Sequence, residues 1–411
     1  MNAETFRPPP GTPFTVCARW IFPVAGDPLS GGAVEIAADG RVVGLHRHPP
    51  AGAHDLGDVA IIPGLINAHT HLEFSELPVP LQPSAPFSDW LRALLAYRRS
   101  RGDASRAILT GLAESQCTGT IALGDIDTRG QPDQYSDARP VRVTAFRELL
   151  GLDPATVALQ LGTATEFLDH ARGPEHGEGG IVRGLSPHAP YSVHLRLLDG
   201  IVSLATSRQC PVAIHLAETR AELELLATGT GDLVDLLTEA GIWQGALYPL
   251  GTTPLDFLRR LEGLPRVVIA HGNYFGDDEI DFLAGRHNLA VAYCPRTHCY
   301  FGHENHPWRQ LAARGGLVAI GTDGRCSNPD LSIWHELQFL RGRFPDYSAA
   351  ELLRMGTING AKALGRDSRL GTIEPAKAPG LAVIRLGVVR AADAYDELFH
   401  PDSEVVNLIA A

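Results

Sequence analysis

Val212-Ala213-Ile214-His215 is a short apolar run that ends on a histidine, and Val267-Val268-Ile269-Ala270-His271 repeats the arrangement further along the chain. Runs this short and this rich in β-branched residues suit strands buried on both faces rather than helices. Working outward, similar runs recur at Thr120 to Leu123, Val141 to Phe146, Ile181 to Leu185, Ala290 to Tyr293 and Leu317 to Gly321. Helical patterns separate them, among them Trp90 to Ser100 and Ala349 to Leu364. Strand and helix alternating over this length predict βα units and a parallel barrel. With Ile61-Ile62 taken as the first strand, the total is about eight, as a barrel of this kind requires. The expected fold class is therefore α/β, a (β/α)8 TIM barrel over residues 61–365.

The two ends have a different texture. Phe14 to Ile21, Ala33 to Ala37 and Arg41 to Leu45 alternate and turn often, with Asp39-Gly40 as a hairpin signal. After Gly365 the β texture returns at Gly371-Thr372-Ile373 and at Leu381 to Leu386. Residues 1–60 and 366–411 are expected to pair into one small β-sandwich domain beside the barrel.

Composition narrows the function classes. The 411 residues are 44% hydrophobic and 20% charged, ordinary for a globular chain. Net charge is -12 and no Lys/Arg run forms a basic patch, so neither nucleic acid nor anionic membrane is an expected partner. No apolar run approaches the ~18 residues of a membrane span. The N-terminal stretch lacks a basic-then-apolar signal pattern, so a cytoplasmic location is expected. The six cysteines are scattered with no C-x-x-C pair, which argues against a zinc ribbon or a disulfide framework. Cys326 reads as a small semi-buried thiol.

Polar residues gather at the predicted strand ends. His69 and His71 follow Ile61-Ile62-Pro63-Gly64, His215 and His271 close their strands, and Asp323 follows Ala319-Ile320-Gly321-Thr322. Active sites of TIM barrels lie at the C-terminal ends of the strands, so these residues converge on one mouth. Histidines at i and i+2 on an extended segment point the same way. A third histidine and an aspartate complete a nitrogen-and-oxygen set suited to one divalent metal, Zn²⁺ before Fe²⁺. Glu218 stands one helical turn beyond His215 and can face the same space. His287, His298, His303, His306 and His335 are read as ordinary, since a lone histidine is more often a satisfied structural group than a ligand.

Several motifs then stand in order. They are Pro63-Gly64-Leu65-Ile66-Asn67-Ala68-His69-Thr70-His71, Ser186-Pro187-His188-Ala189-Pro190-Tyr191, His215-Leu216-Ala217-Glu218-Thr219, His271-Gly272, and Gly321-Thr322-Asp323-Gly324 with Ser327-Asn328. Together they resemble the amidohydrolase superfamily. Within it they are most similar to the aminohydrolase branch of adenosine-type, methylthioadenosine/S-adenosylhomocysteine, aminodeoxyfutalosine and guanine deaminases and triazine chlorohydrolases. The C-terminal segment departs from the usual Gly-Lys-x-Ala-Asp-Leu, reading Ala376-Lys377-Ala378-Pro379-Gly380-Leu381, which touches the flanking domain and not the site. The resemblance implies that His69, His71, His215 and Asp323 hold one metal, that Glu218 and His271 are the catalytic pair, and that His188 and Ser327 stand near substrate. Leu72-Glu73-Phe74-Ser75, Phe87-Ser88-Asp89-Trp90-Leu91 and Phe146-Arg147-Glu148-Leu149 resemble the aminodeoxyfutalosine group, making Glu73 and Arg147 candidate contacts to ribose or a substrate carboxylate. For Phe87 and Trp90, lid or helix packing is the expectation.

Lysine content removes one variant of the chemistry. The only lysines are Lys362 and Lys377, so no middle strand can supply the carboxylated lysine that bridges two metals in many members. A mononuclear hydrolase is expected, releasing ammonia from an aminated purine nucleoside or related small heterocycle, and the resemblance leans toward a homo-oligomer. The rivals are hydrolytic removal of chloride or an alkylamine from a triazine-like ring, deamination of cytosine or guanine, and a non-enzymatic interaction protein on the same scaffold.

Overall fold

Eight parallel strands follow one another in sequence order around a single sheet. They are β1 (Leu65–Thr70), β2 (Thr120–Asp127), β3 (Arg142–Leu149), β4 (Val182–Pro187), β5 (Val212–Leu216), β6 (Val267–His271), β7 (Leu289–Tyr293) and β8 (Leu317–Ile320). The structure is a computed structural model and describes residues 3–135, 140–170, 181–243, 245, 248–387 and 390–409. The sheet closes where Thr70 bridges to Asp323, and the His69 carbonyl accepts from both Thr322 and Asp323 N–H at 3.1 Å. Helices cover the strands outside, so β5 to β8 are buried along their whole length, as their unbroken apolar runs predict. The result is the expected (β/α)8 barrel.

Its first strand is not the one the sequence suggests. Val59–Pro63, which contains Ile61-Ile62, pairs antiparallel with Leu381–Arg385 and parallel with Trp20–Ile21. It belongs to the terminal segments, and the barrel begins at Leu65. The chain changes sheets at Gly64, where a Cβ would stand 2.7 Å from Ile121 Cγ2 and 2.9 Å from the Pro379 carbonyl. The strands on both sides of Gly64 are fully buried, so hydrophobicity cannot tell them apart.

The terminal segments form two further sheets, of four and five strands. Val16, Val34 and Ile36 of one share a core with Ile61, Val383 and Ile409 of the other, which makes the predicted sandwich. The hairpin at Asp39-Gly40 joins Ala33–Ile36 to Val42–His46, with Gly40 at φ +79°. Gly371-Thr372-Ile373 is not a strand; the buried Ile373 is tied instead by its N–H to the Pro23 carbonyl at 2.9 Å. The predicted helix Ala349 to Leu364 is two helices, Ala349–Met355 and Ile358–Ala363. The break lets the Gly356 carbonyl accept the Ile66 N–H of β1 at 2.9 Å, which an unbroken helix would not allow. Among the described residues no helix is long and apolar enough to cross a membrane.

Candidate active site

The strand ends deliver five polar side chains to one point. His69 lies on β1 and His71 one residue past it, His215 on β5, His271 ends β6, and Asp323 follows β8. All five are buried. The Nε2 atoms of His71 and His215 approach to 3.1 Å, and Asp323 Oδ1 stands 3.4 Å from His71 Nε2 and 3.6 Å from His69 Nε2. Donors sharing one ion at about 2.1 Å lie roughly 3 to 3.5 Å apart, so these separations fit a metal's ligand shell. His69, His71 and Asp323 form one set of mutually close ligand atoms, and His69, His215 and His271 form another.

Two observations test whether the residues want a cation. Both ring nitrogens of His69 and Nδ1 of His71 are buried with no hydrogen-bond partner among the described residues, a costly arrangement unless a ligand completes it. Burial, and then the neighbouring histidines, hold the His71 and His215 rings well below their usual range, so both are neutral donors. Burial raises Asp323, but the His69 side chain and the charge of His271 outweigh it and bring the carboxyl down to about 2. Three imidazoles, two of them held neutral, and one carboxylate suit a divalent metal.

The second layer is equally ordered. His215 Nδ1 contacts the His188 carbonyl at 2.9 Å, which orients its other nitrogen inward. Ser327 donates to Asp323 Oδ2 at 2.6 Å. Three non-glycine residues here adopt left-handed backbone: Ala217 at φ +53°, His271 at +72° and Asp323 at +57°. Such conformations cost energy and persist when the surroundings impose them. The His271 carbonyl accepts from His306 Nε2 at 2.8 Å, while His306 Nδ1 accepts from Trp308 N–H at 2.9 Å. Around Ala217, Glu222 Oε1 accepts the Ala217 N–H at 2.8 Å and its Oε2 accepts the Glu218 N–H at 3.1 Å. Asn273 donates to the Glu218 carbonyl at 2.9 Å. Glu218 is thus held by both its backbone groups. Its carboxyl stands 3.6 Å from His271 Nε2 and is pushed well above the usual range by burial, then by the charges of Asp323 and Glu222.

These groups face a cavity of about 520 Å³, a size that suits a nucleoside-like ligand. His71, His188, His215, Glu218, His271 and Asp323 line its inner end. Three expected substrate contacts are not on its wall. Glu73 is buried beneath it, paired with Arg98 at 2.6 Å and with Arg101. Ser327 is fully buried behind Asp323. Arg147 contacts the Asp127 carbonyl at 3.3 Å, outside the cavity. Strand alternation explains the last case: on β3 it is the next residue, Glu148, that turns inward, with Oε1 3.9 Å from His188 Nε2. Phe87 and Trp90 pack on each other on the helix α1 (Phe87–Ser100), their ring centroids 5.4 Å apart, and both line the cavity. Arg98 and Glu222 went unnoticed in the sequence, while Cys326 and His306 were read there as ordinary structural groups. Glu222 carried a readable signal, standing four residues beyond Glu218 in the first turn of the helix Arg220–Thr228.

Comparison with known proteins agrees with this architecture. The model of the amidohydrolase family matches residues 60–408. A 5-methylthioadenosine/S-adenosylhomocysteine deaminase from Moorella thermoacetica is 29% identical over 89% of this chain and 83% of its own length. An aminodeoxyfutalosine deaminase from Deinococcus radiodurans is 28% identical over 80% of this chain and 79% of its own. Among solved structures, an adenosine deaminase from Xanthomonas campestris with bound zinc superposes with a TM-score of 0.78 at 23% identity, covering 98% of this chain and 91% of that one.

Proposed function

The chain belongs to the amidohydrolase family, and from that premise we propose that it is a zinc-dependent hydrolytic deaminase of adenosine analogues, releasing ammonia. The observation that carries the reading is the meeting of a three-histidine, one-carboxylate set with a protonatable Glu218 at the closed end of a nucleoside-sized cavity.

His69, His71, His215 and Asp323 would hold the metal, with His271 beside them. A divalent cation there would supply a Lewis acid that lowers the pKa of an adjacent water. The protein's own groups do the rest. Glu218, kept protonated by burial, donates to the ring nitrogen next to the amino-bearing carbon and so makes that carbon electrophilic. Asp323 accepts a hydrogen bond from the attacking water. His271 stabilises negative charge on the incoming oxygen, its Nε2 having no hydrogen-bond partner among the described residues. Glu218 takes one proton of the water, passes it to the departing amine, and recovers the second from the new hydroxyl as the carbonyl forms. One carbon–oxygen bond forms, one carbon–nitrogen bond breaks, and water and amine become carbonyl and ammonia. His188, 5.0 Å from His215 between ring centroids, faces the substrate ring.

The test is ammonia release by zinc-loaded protein from adenosine, 5′-deoxyadenosine, methylthioadenosine and aminodeoxyfutalosine, with guanine and cytosine as comparisons. Glu218→Gln should keep its zinc and lose about 10²-fold or more in kcat. Near-normal turnover in that variant, or no ammonia from any adenosine analogue, overturns the proposal.

A further inference from the structure

The part of the cavity away from the histidines has a character of its own. α1 contributes Leu91, Leu94 and Leu95, and the helix α2 (Asp232–Glu239) contributes Leu233, Leu236 and Leu237. On α1, Phe87, Trp90, Leu91, Leu94, Leu95 and Arg98 recur at three- and four-residue spacing, so one face of the helix forms the wall. The two helices are tied across the surface by Arg92 and Glu239 at 2.6 Å.

The edge of this arm is unusual for a protein surface. Leu95, Leu150 and Ile242 are 40%, 42% and 47% exposed and all line the cavity. Single exposed leucines need no explanation, but three on different segments around one opening make a continuous apolar patch.

Four polar side chains on the same walls carry partners within the fold. Arg98 is paired with Glu73 at 2.6 Å, and its guanidinium lies 5.3 Å from the Phe74 ring centre. Asp153 Oδ1 accepts the Ala155 N–H at 2.8 Å. Thr156 donates to the Asp153 carbonyl at 2.8 Å, and Ser192 is bonded to His188 at 2.6 Å. A charged substituent lodged between these leucines gives up water against hydrocarbon, which costs energy without a partner. An apolar one gains about 0.8 kcal/mol per buried methylene, or roughly fourfold in affinity.

We propose that this leucine-lined arm is a subsite for an apolar, uncharged substituent on the ribose 5′ carbon, so that the chain favours alkylthio- or aryl-substituted adenosines over those ending in an amino acid. The proposal rests on the deaminase reading and adds the substrate class. It is tested by kcat/KM for ammonia release across 5′-deoxyadenosine, methylthioadenosine, 5′-butylthioadenosine and S-adenosylhomocysteine with the zinc-loaded enzyme. The butylthio compound should exceed the methylthio compound by tenfold or more, and S-adenosylhomocysteine should fall at least tenfold below the butylthio compound. Leu95→Asp and Ile242→Asp, both at exposed positions that tolerate a charge, should flatten the series. Leu159→Asp, at an exposed leucine 69% accessible and off the cavity wall, should leave it unchanged. A flat wild-type series, or S-adenosylhomocysteine as the best member, overturns the subsite while leaving deamination standing. Absence of ammonia from every member overturns the deaminase reading itself, and the subsite with it.

Discussion

Replacing Glu222 by glutamine separates structure from catalysis in a way few substitutions here can. Glu222 is fully buried and does not line the cavity, yet its two oxygens accept the N–H groups of Ala217 and Glu218. Glutamine keeps one carbonyl acceptor and turns an amide donor toward the other N–H. One buried donor is left unpaired, at about 1–3 kcal/mol. The carboxylate also imposes a pH dependence. Burial pushes Glu222 up from 4.5 to about 7, while the two backbone N–H groups oppose the rise. Below pH 4.5 the group is neutral in folded and unfolded chains alike. As pH climbs from there to about 7, the unfolded chain ionises and the folded chain does not, so stability falls, by roughly 3 kcal/mol from this group. Glu222→Gln lacks that loss. Chemical denaturation should therefore find the variant less stable than wild type near pH 5 and level with it, or ahead, near pH 8. Its kcat should drop by about tenfold to 10²-fold, because Glu218 moves, while KM and zinc content hold. Wild-type kcat, or stability curves that stay parallel across pH, would refute the reasoning.

Other substitutions probe other links. His306→Phe removes the donor that holds the left-handed His271 carbonyl; kcat should fall about tenfold, and His306→Gln, which still carries a donor, should recover part of it. Chelation should lower Tm and abolish turnover, and zinc at about 100 times its Kd should restore roughly 2.7 kcal/mol of stability; an unchanged Tm would mean the histidine cluster holds no ion. Arg147→Ala should leave KM within twofold of wild type, since the guanidinium reaches the Asp127 carbonyl rather than the cavity, and a tenfold rise would restore Arg147 as a substrate contact.

What could be read from the chain beforehand has a physical pattern. Strands buried on both faces appear as unbroken apolar runs, so the histidines closing Val212–Leu216 and Val267–His271 were legible as strand-end groups. The same property hid the domain junction, because Val59–Pro63 and Leu65–Thr70 are equally apolar and only Gly64 divides them. Which face a side chain takes was legible only to within one residue, hence Arg147 in place of Glu148. Charge partners across the fold were not legible at all: Glu73 meets Arg98 and Arg101 from the far end of a helix, and no spacing announces it.

The backbone at the site was the least visible part. Gly272 sits at φ +65°, which glycine accommodates, but the residue types of Ala217, His271 and Asp323 give no hint of left-handed geometry. Each lies at the end of a different strand, and each is held by groups that sequence spacing does not connect to it. Glu222 grips Ala217, His306 grips the His271 carbonyl, and the His69 carbonyl grips the Asp323 N–H. Ending the strands in this conformation swings the next residue sharply off the strand axis. Glu218 after Ala217 thereby faces His271 instead of continuing outward. The strain is concentrated where the proposed metal ligands and proton carrier converge, and the polar contacts that sustain it are the ones whose removal should lower kcat before it unfolds the barrel.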